Sequence, residues 1–141
     1  MATGICDFYV SIAEKSADGK YSINNVVPPD EFATGWRYQG VKNSVFTNAA
    51  AAQSCEFAQR IGKETFSVSK EKLGEWDDFV NNVVILTAQY QNTTGTYHPE
   101  YEGYPSSNIW SDYKVKQADV ILLGFPLDFQ NLTREQRYND L

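Results

Sequence analysis

Basic charge is scarce in this chain. Twelve lysines and arginines stand against 18 aspartates and glutamates, giving a formal net charge of −6 and a pI near 4.7. That balance argues against a nucleic-acid partner, because such binders carry basic patches. Long apolar runs are missing too. None reaches the roughly 18 residues of a membrane span, so no membrane partner is expected. The opening residues, Met1-Ala2-Thr3-Gly4-Ile5, have no basic head and no long apolar stretch. They read as the entry to a domain already under way rather than as a signal peptide.

Cysteine and histidine are equally sparse. Cys6 and Cys55 are too few for a disulfide framework or a metal set. Both fall in helix-like patterns among apolar residues, so buried free thiols are the expectation. His98 is the one histidine, with no second His or Cys nearby, so no metal is expected; no cofactor is expected either. It precedes Pro99 and is therefore non-helical. Its expected part is to order a loop, with a substrate contact as the lesser alternative. There is no internal repeat, low-complexity segment or linker, and 141 residues are the size of one ordinary domain.

What the chain does have is apolar and aromatic material. It is 42% hydrophobic and 14% aromatic, enough for a core and too much for a disordered chain. Rings also suit sugar sites, where they stack on pyranose faces, although most of these belong to the core. Asn92-Thr93-Thr94 and Asn131-Leu132-Thr133 are glycosylation sequons, which matter only if the protein enters the secretory path. The sequence leaves cytoplasmic, vacuolar or lysosomal, and secreted locations open, and it does not give the oligomeric state.

The periodicity is mainly helical. Ile5, Phe8, Tyr9 and Ile12 fall at helical spacing over residues 3–15. A turn at Ala17-Asp18-Gly19-Lys20 leads to a short extended arm, Tyr21-Ser22-Ile23. From Ser44 an alanine-rich pattern runs to Ile61 and is expected to close at Gly62, with Asn43 and Asn48 at its start as caps or as holders of the loop before it. Ser69 is expected to cap a helix through about Val84, with Leu73, Trp76, Phe79, Val80 and Val83 on one face. Residues 85–97 read as looped or extended. Lys116 to Phe125 reads as an apolar helix ended by Pro126. Thr133-Arg134-Glu135-Gln136 is a capping box opening a last helix.

The stretch with chemical interest is Val26-Val27-Pro28-Pro29-Asp30-Glu31-Phe32. Adjacent prolines stiffen the chain just before two acids. A carboxylate on such a loop, with Val27, Phe32 and Trp36 around it, can have its pKa raised by desolvation, as a general acid needs. The same composition is that of a turn or helix start with Asp30 as N-cap, and for so short a motif the residues alone favour this plainer reading.

Four blocks change the balance. Pro29-Asp30-Glu31-Phe32, Asn43-Ser44-Val45-Phe46-Thr47-Asn48, His98-Pro99-Glu100-Tyr101-Glu102-Gly103-Tyr104 and Lys116-Gln117-Ala118-Asp119-Val120 occur in that order. Together they resemble the signature blocks of glycoside hydrolase family 65, over nearly the whole chain from Phe8 onward. That family holds acid trehalases, disaccharide phosphorylases and protein-glucosylgalactosylhydroxylysine glucosidases, and the His-Pro-Glu and Asn-Ser-Val blocks resemble the last group most. The segment Gly35 to Gly40 makes the spacing between the first two blocks longer than the family's usual one; Trp36 within it is a candidate for a sugar subsite or a lid contact.

The resemblance implies an (α/α)6 barrel and an inverting attack on an α-glucoside, a carbohydrate substrate. About twelve helices of roughly 11 residues do not fit in this length. Residues 1–141 are therefore expected to be a segment of one catalytic domain, incomplete at both ends and inactive by itself. By match to the family's pattern, Glu31 is the general acid and Asp30 orients the loop or touches the substrate. Lys116 and Gln117 match the pair that holds hydroxyls of the glucosyl unit, a task suited to an ammonium and an amide. Taken alone, Lys116 is also readable as a solvated lysine at a helix start. The family's general base is a glutamate later than Leu141, and its Trp-Asp sugar block comes earlier than Met1. The expected reaction is glucose release from glucosyl-galactosyl-hydroxylysine. The alternatives are an acid trehalase, a family 65 phosphorylase, and a catalytically incomplete fragment.

Overall fold

The computed structural model describes residues 2–31, 39–89, 95–104 and 117–141. Lys116, Phe32, Trp36, Tyr38 and the sequon at Asn92 lie outside them. The described residues are mainly helical: α1 (Ala2–Ile12), α2 (Val45–Thr65), α3 (Lys70–Asn82) and the short α4 (Arg134–Asn139). Two antiparallel pairs accompany them, β1 (Ala13–Lys15) with β2 (Tyr21–Ile23), and β3 (Ala88–Gln89) with β4 (Thr96–Tyr97).

Helix α2 is the centre. The Ser44 side chain accepts from the amide of Thr47 at 3.3 Å and caps its start. Ala49, Ala51, Ala52 and Ala58 are buried along it. With only methyl groups in the way, α1 comes close enough to bring the Cα atoms of Cys6 and Cys55 to 4.7 Å, and the two are joined in a disulfide. This corrects the expectation of two free thiols. Cysteines 49 residues apart in sequence meet because the alanine face draws their helices together, which their local patterns do not reveal.

The helix also outruns Gly62 and ends at Thr65, with Phe66 left-handed at φ 52°. Gly62 is there for another reason. A Cβ at this position would lie 2.8 Å from the Val68 side chain, where the chain doubles back toward α3. Helix α3 is capped by Ser69 as expected. It stops at Asn82 rather than Val84, because Val83 turns extended and the amide of Val84 donates to the carbonyl of Tyr21 at 3.0 Å.

Trp76 and Phe79 of α3, Ile23 and Tyr21 of β2, and the Cys6–Cys55 pair form the main core. In α1 the inward face is Ala2, Cys6, Tyr9 and Val10. Of the apolar residues whose spacing marked this helix, Tyr9 packs inward, while Ile5, Phe8 and Ile12 are exposed. A second cluster packs Val45 and Ala49 of α2 against Leu123 and Phe129.

The expected helix from Lys116 to Phe125 is, over its described residues, a single 3₁₀ turn, Val120–Leu123. Two of its four residues are β-branched, Gly124 and Pro126 follow at once, and Asp119 before it makes no capping bond with its side chain. The capping box at Thr133 and Gln136 forms in both directions. His98 is buried and ties its loop to the end of α4: its amide donates to Asp140 Oδ1 at 2.8 Å, and Nδ1 lies 2.9 Å from Oδ2.

Candidate functional site

The acid loop leaves the core between β2 and α2. Val26 and Val41 pair across its base, amide to carbonyl in both directions, at 3.2 and 2.8 Å. Gly40 makes that closure possible. Its φ is 72°, and a Cβ there would stand 2.6 Å from the backbone carbon of Asn25, closer than packed atoms come. Pro28 is buried and Val27 exposed. Neither proline has an amide hydrogen to give, so the first donors after them are the amides of Asp30 and Glu31.

Both amides are taken by side chains of one distant segment. The Asp30 amide donates to Asp119 Oδ2 at 3.1 Å, across 89 residues. The Glu31 amide donates to Gln117 Oε1 at 3.0 Å, across 86. The Gln117 side-chain amide in turn lies 3.4 Å from Glu31 Oε1 as a donor. The pairs sit in two tiers: Glu31 and Gln117 are exposed, while Asp30 and Asp119 are buried beneath them.

Burial decides the charge of the lower tier. Loss of solvation raises the Asp119 pKa to about 6, the Asp30 charge pushes it the same way, and the bond from the Asp30 amide opposes both. The other oxygen of Asp119, Oδ1, is buried without a hydrogen-bond partner.

The remaining two blocks dock on each other. Asn43, left-handed at φ 53°, exchanges bonds with Ile23: its amide donates to the Ile23 carbonyl and its Oδ1 accepts from the Ile23 amide. Its Nδ2 donates to Glu102 Oε2 at 2.7 Å, while Asn48 donates to Asn43 Oδ1 and to the carbonyl of Val84. The amide of Val45 donates to the carbonyl of Glu100 and that of Glu102 to the carbonyl of Lys42. The Lys42 ammonium at 3.0 Å holds the Glu102 carboxyl below its ordinary range. Neither asparagine caps α2; Ser44 does. Asn43 ties the end of the acid loop to Ile23 and Glu102, and Asn48 braces Asn43 against the Val84 carbonyl. Burial first, then the charges of Glu100 and Asp30, raise the pKa of Tyr101.

Three of the expected site residues, Asp30, Glu31 and Gln117, thus stand in one cluster; Lys116 is outside the described residues. Asp119 was not singled out for a role by its sequence. Its signal was faint: one acid at the head of the apolar run Val120-Ile121-Leu122-Leu123. Among the described residues no group of three or more His, Cys, Asp or Glu is placed to hold a metal.

Comparison with known proteins gives consistent matches. The family model "Glycosyl hydrolase family 65 central catalytic domain" matches residues 1–87. The chain is 42% identical over 139 residues to a protein-glucosylgalactosylhydroxylysine glucosidase of Danio rerio, covering 98% of this chain and 18% of the relative. It is 37% identical over 139 residues to the protein of that name from Dictyostelium discoideum, covering 98% and 17%. A cell wall acid trehalase of Candida albicans is 31% identical over 121 residues, covering 85% and 10%. The chain therefore spans less than a fifth of the length of these relatives.

Proposed function

The chain belongs to glycosyl hydrolase family 65, and on that premise we propose that it is part of an inverting glycoside hydrolase that releases glucose from an α-glucoside. Four relatives carry the name protein-glucosylgalactosylhydroxylysine glucosidase, and the proposed substrate is accordingly glucosyl-galactosyl-hydroxylysine. In this reading residues 1–141 are one segment of a single (α/α)6-barrel domain. The exposed apolar edge of α1, Ile5, Phe8 and Ile12, fits a helix with neighbours on both sides.

The observation that carries the reading is the pinning of Glu31. Its amide is held by Gln117, the amide before it by Asp119, and the residue itself is exposed. A general acid must meet the glycosidic oxygen at hydrogen-bond range with little freedom to wander. Glu31 protonates the leaving oxygen. A second carboxylate activates water from the opposite face, about 6.5–9.5 Å from the first. That base is the family's later glutamate. In this reading Gln117 offers its amide to a hydroxyl of the glucosyl unit, and Lys116 is the second member of that pair. Asp30 supports the loop from below.

The test is glucose release by the full-length protein containing this chain, with the hydroxylysine glycoside and trehalose side by side, with and without phosphate. Release from the hydroxylysine glycoside without phosphate is the expected result. Release from trehalose instead would make it an acid trehalase, the second reading, which the Candida albicans relative favours. A phosphate requirement would make it a phosphorylase. Glu31→Gln is expected to lower turnover of these unactivated glucosides by about 10²–10⁴-fold with binding nearly intact; unchanged turnover would remove Glu31 from the role of acid.

A further inference from the structure

We propose that Asp119 is a positioning residue for the acid, holding the acid loop by the Asp30 amide so that the Glu31 carboxyl meets the glycosidic oxygen. The proposal rests on the reading of Glu31 as general acid. Asp119 is 2% exposed and bonded to the amide of the equally buried Asp30, so it acts through the loop and not by contact with a substrate.

Three observations carry it. Two consecutive loop amides are accepted by side chains only two positions apart, Gln117 and Asp119. One contact fixes the height of the loop, but two fix its tilt, and tilt decides where a carboxylate on that loop points. The Asp119 side chain also leaves its own helical turn uncapped to make this bond. Finally, it is costly as mere packing. An acid is buried beside another acid, with Oδ1 unpartnered. An aliphatic residue would fill the space without that cost, but it could not accept from the Asp30 amide.

The experiment compares Asp119→Ala, Asp119→Leu, Asp119→Asn and Glu31→Gln in the full-length protein, on the natural glucoside and on α-glucosyl fluoride. Fluoride leaves with little help from a proton donor, so its release reports the site without the acid step. Asp119→Ala is expected to lower kcat on the natural glucoside by about 100-fold, the scale of a misplacement near 1 Å. The loss on the fluoride should be under about fivefold and KM should stay within about threefold. Asp119→Asn retains an acceptor for the Asp30 amide and should recover most of kcat. Asp119→Leu, which fills the space but cannot accept from the Asp30 amide, keeps the test decisive if the alanine variant does not fold: it should show the same selective loss, which a residue that only packs would not give. Equal losses on both substrates in the alanine or leucine variant, or no loss on the natural one in either, would overturn the role of Asp119. If Glu31→Gln itself hydrolyses the natural glucoside normally, the acid assignment fails, and the positioning role fails with it.

Discussion

Asp119 and Asp30 are two acids buried at one contact, and their burial has a thermodynamic signature. The folded protein holds a proton on Asp119 up to about pH 6, against an ordinary value of 3.8. Between those values the native state binds more protons than the unfolded chain, so stability falls as pH rises. The contribution is complete below pH 3.8 and lost above about 6. Its size is on the order of 3 kcal/mol. Asp119→Asn cannot titrate and should escape this loss. Thermal melts of wild type and variant at pH 4 and pH 7 read it directly. The variant's stability relative to wild type should improve at the higher pH by an amount of that order. A difference that does not change with pH would mean that Asp119 is not desolvated as its burial indicates. Lowered carboxyls elsewhere, such as Glu102 beside Lys42, stabilise in the opposite direction and are common to both proteins, so they cancel in the comparison.

At the level of elements, local signals and distant ones part company. The caps at Ser69 and Thr133 were legible because a cap and its amide partner are three residues apart. The turn before β2 was legible because it needs only Gly19, with φ 84°. The 3₁₀ turn after Asp119 was misread as a helix because apolar composition does not separate a buried turn from a helix segment. Of the candidate site, Asp30, Glu31 and Gln117 were reached through family likeness. Their mutual bonds, across 86 and 89 residues, lie beyond any local rule, and so did the inward turn of α1 that joins Cys6 to Cys55. That disulfide makes a prediction of its own. It closes a separation of 49 residues between α1 and α2. Cross-linking at that span restricts the unfolded chain by about 4 kcal/mol in the entropic limit, with about 2–4 kcal/mol usually realised. The double variant Cys6→Ala/Cys55→Ala should lower the urea midpoint of the protein accordingly. So should unfolding the wild type in a strong reductant. A variant with the wild-type midpoint would show that the two sulfurs are not joined.

At the scale of the molecule, the described surface carries an uncovered apolar edge. Helix α1 turns Cys6, Tyr9 and Val10 inward, yet it also exposes Ile5, Phe8 and Ile12, and Phe57 of α2 is exposed as well. Single exposed apolar residues are ordinary, but three along one helix edge are the pattern of a covered face. In the proposed barrel the cover is a neighbouring helix of the same domain, supplied by the length that the relatives have beyond this segment. Phe8 is the sharpest probe, being 56% exposed in this chain. In the 141-residue segment, Phe8→Glu should change stability by less than about 0.5 kcal/mol, as surface substitutions do. In the full-length protein the same change would place a carboxylate in an apolar contact, and the expected loss is roughly 2–3 kcal/mol from the forfeited burial alone. Melting both lengths, with and without the substitution, separates the cases. A loss confined to the full-length protein places a neighbour against α1; small, equal effects in both would mean that this edge faces water in the whole enzyme, and that the barrel does not close on this side of α1.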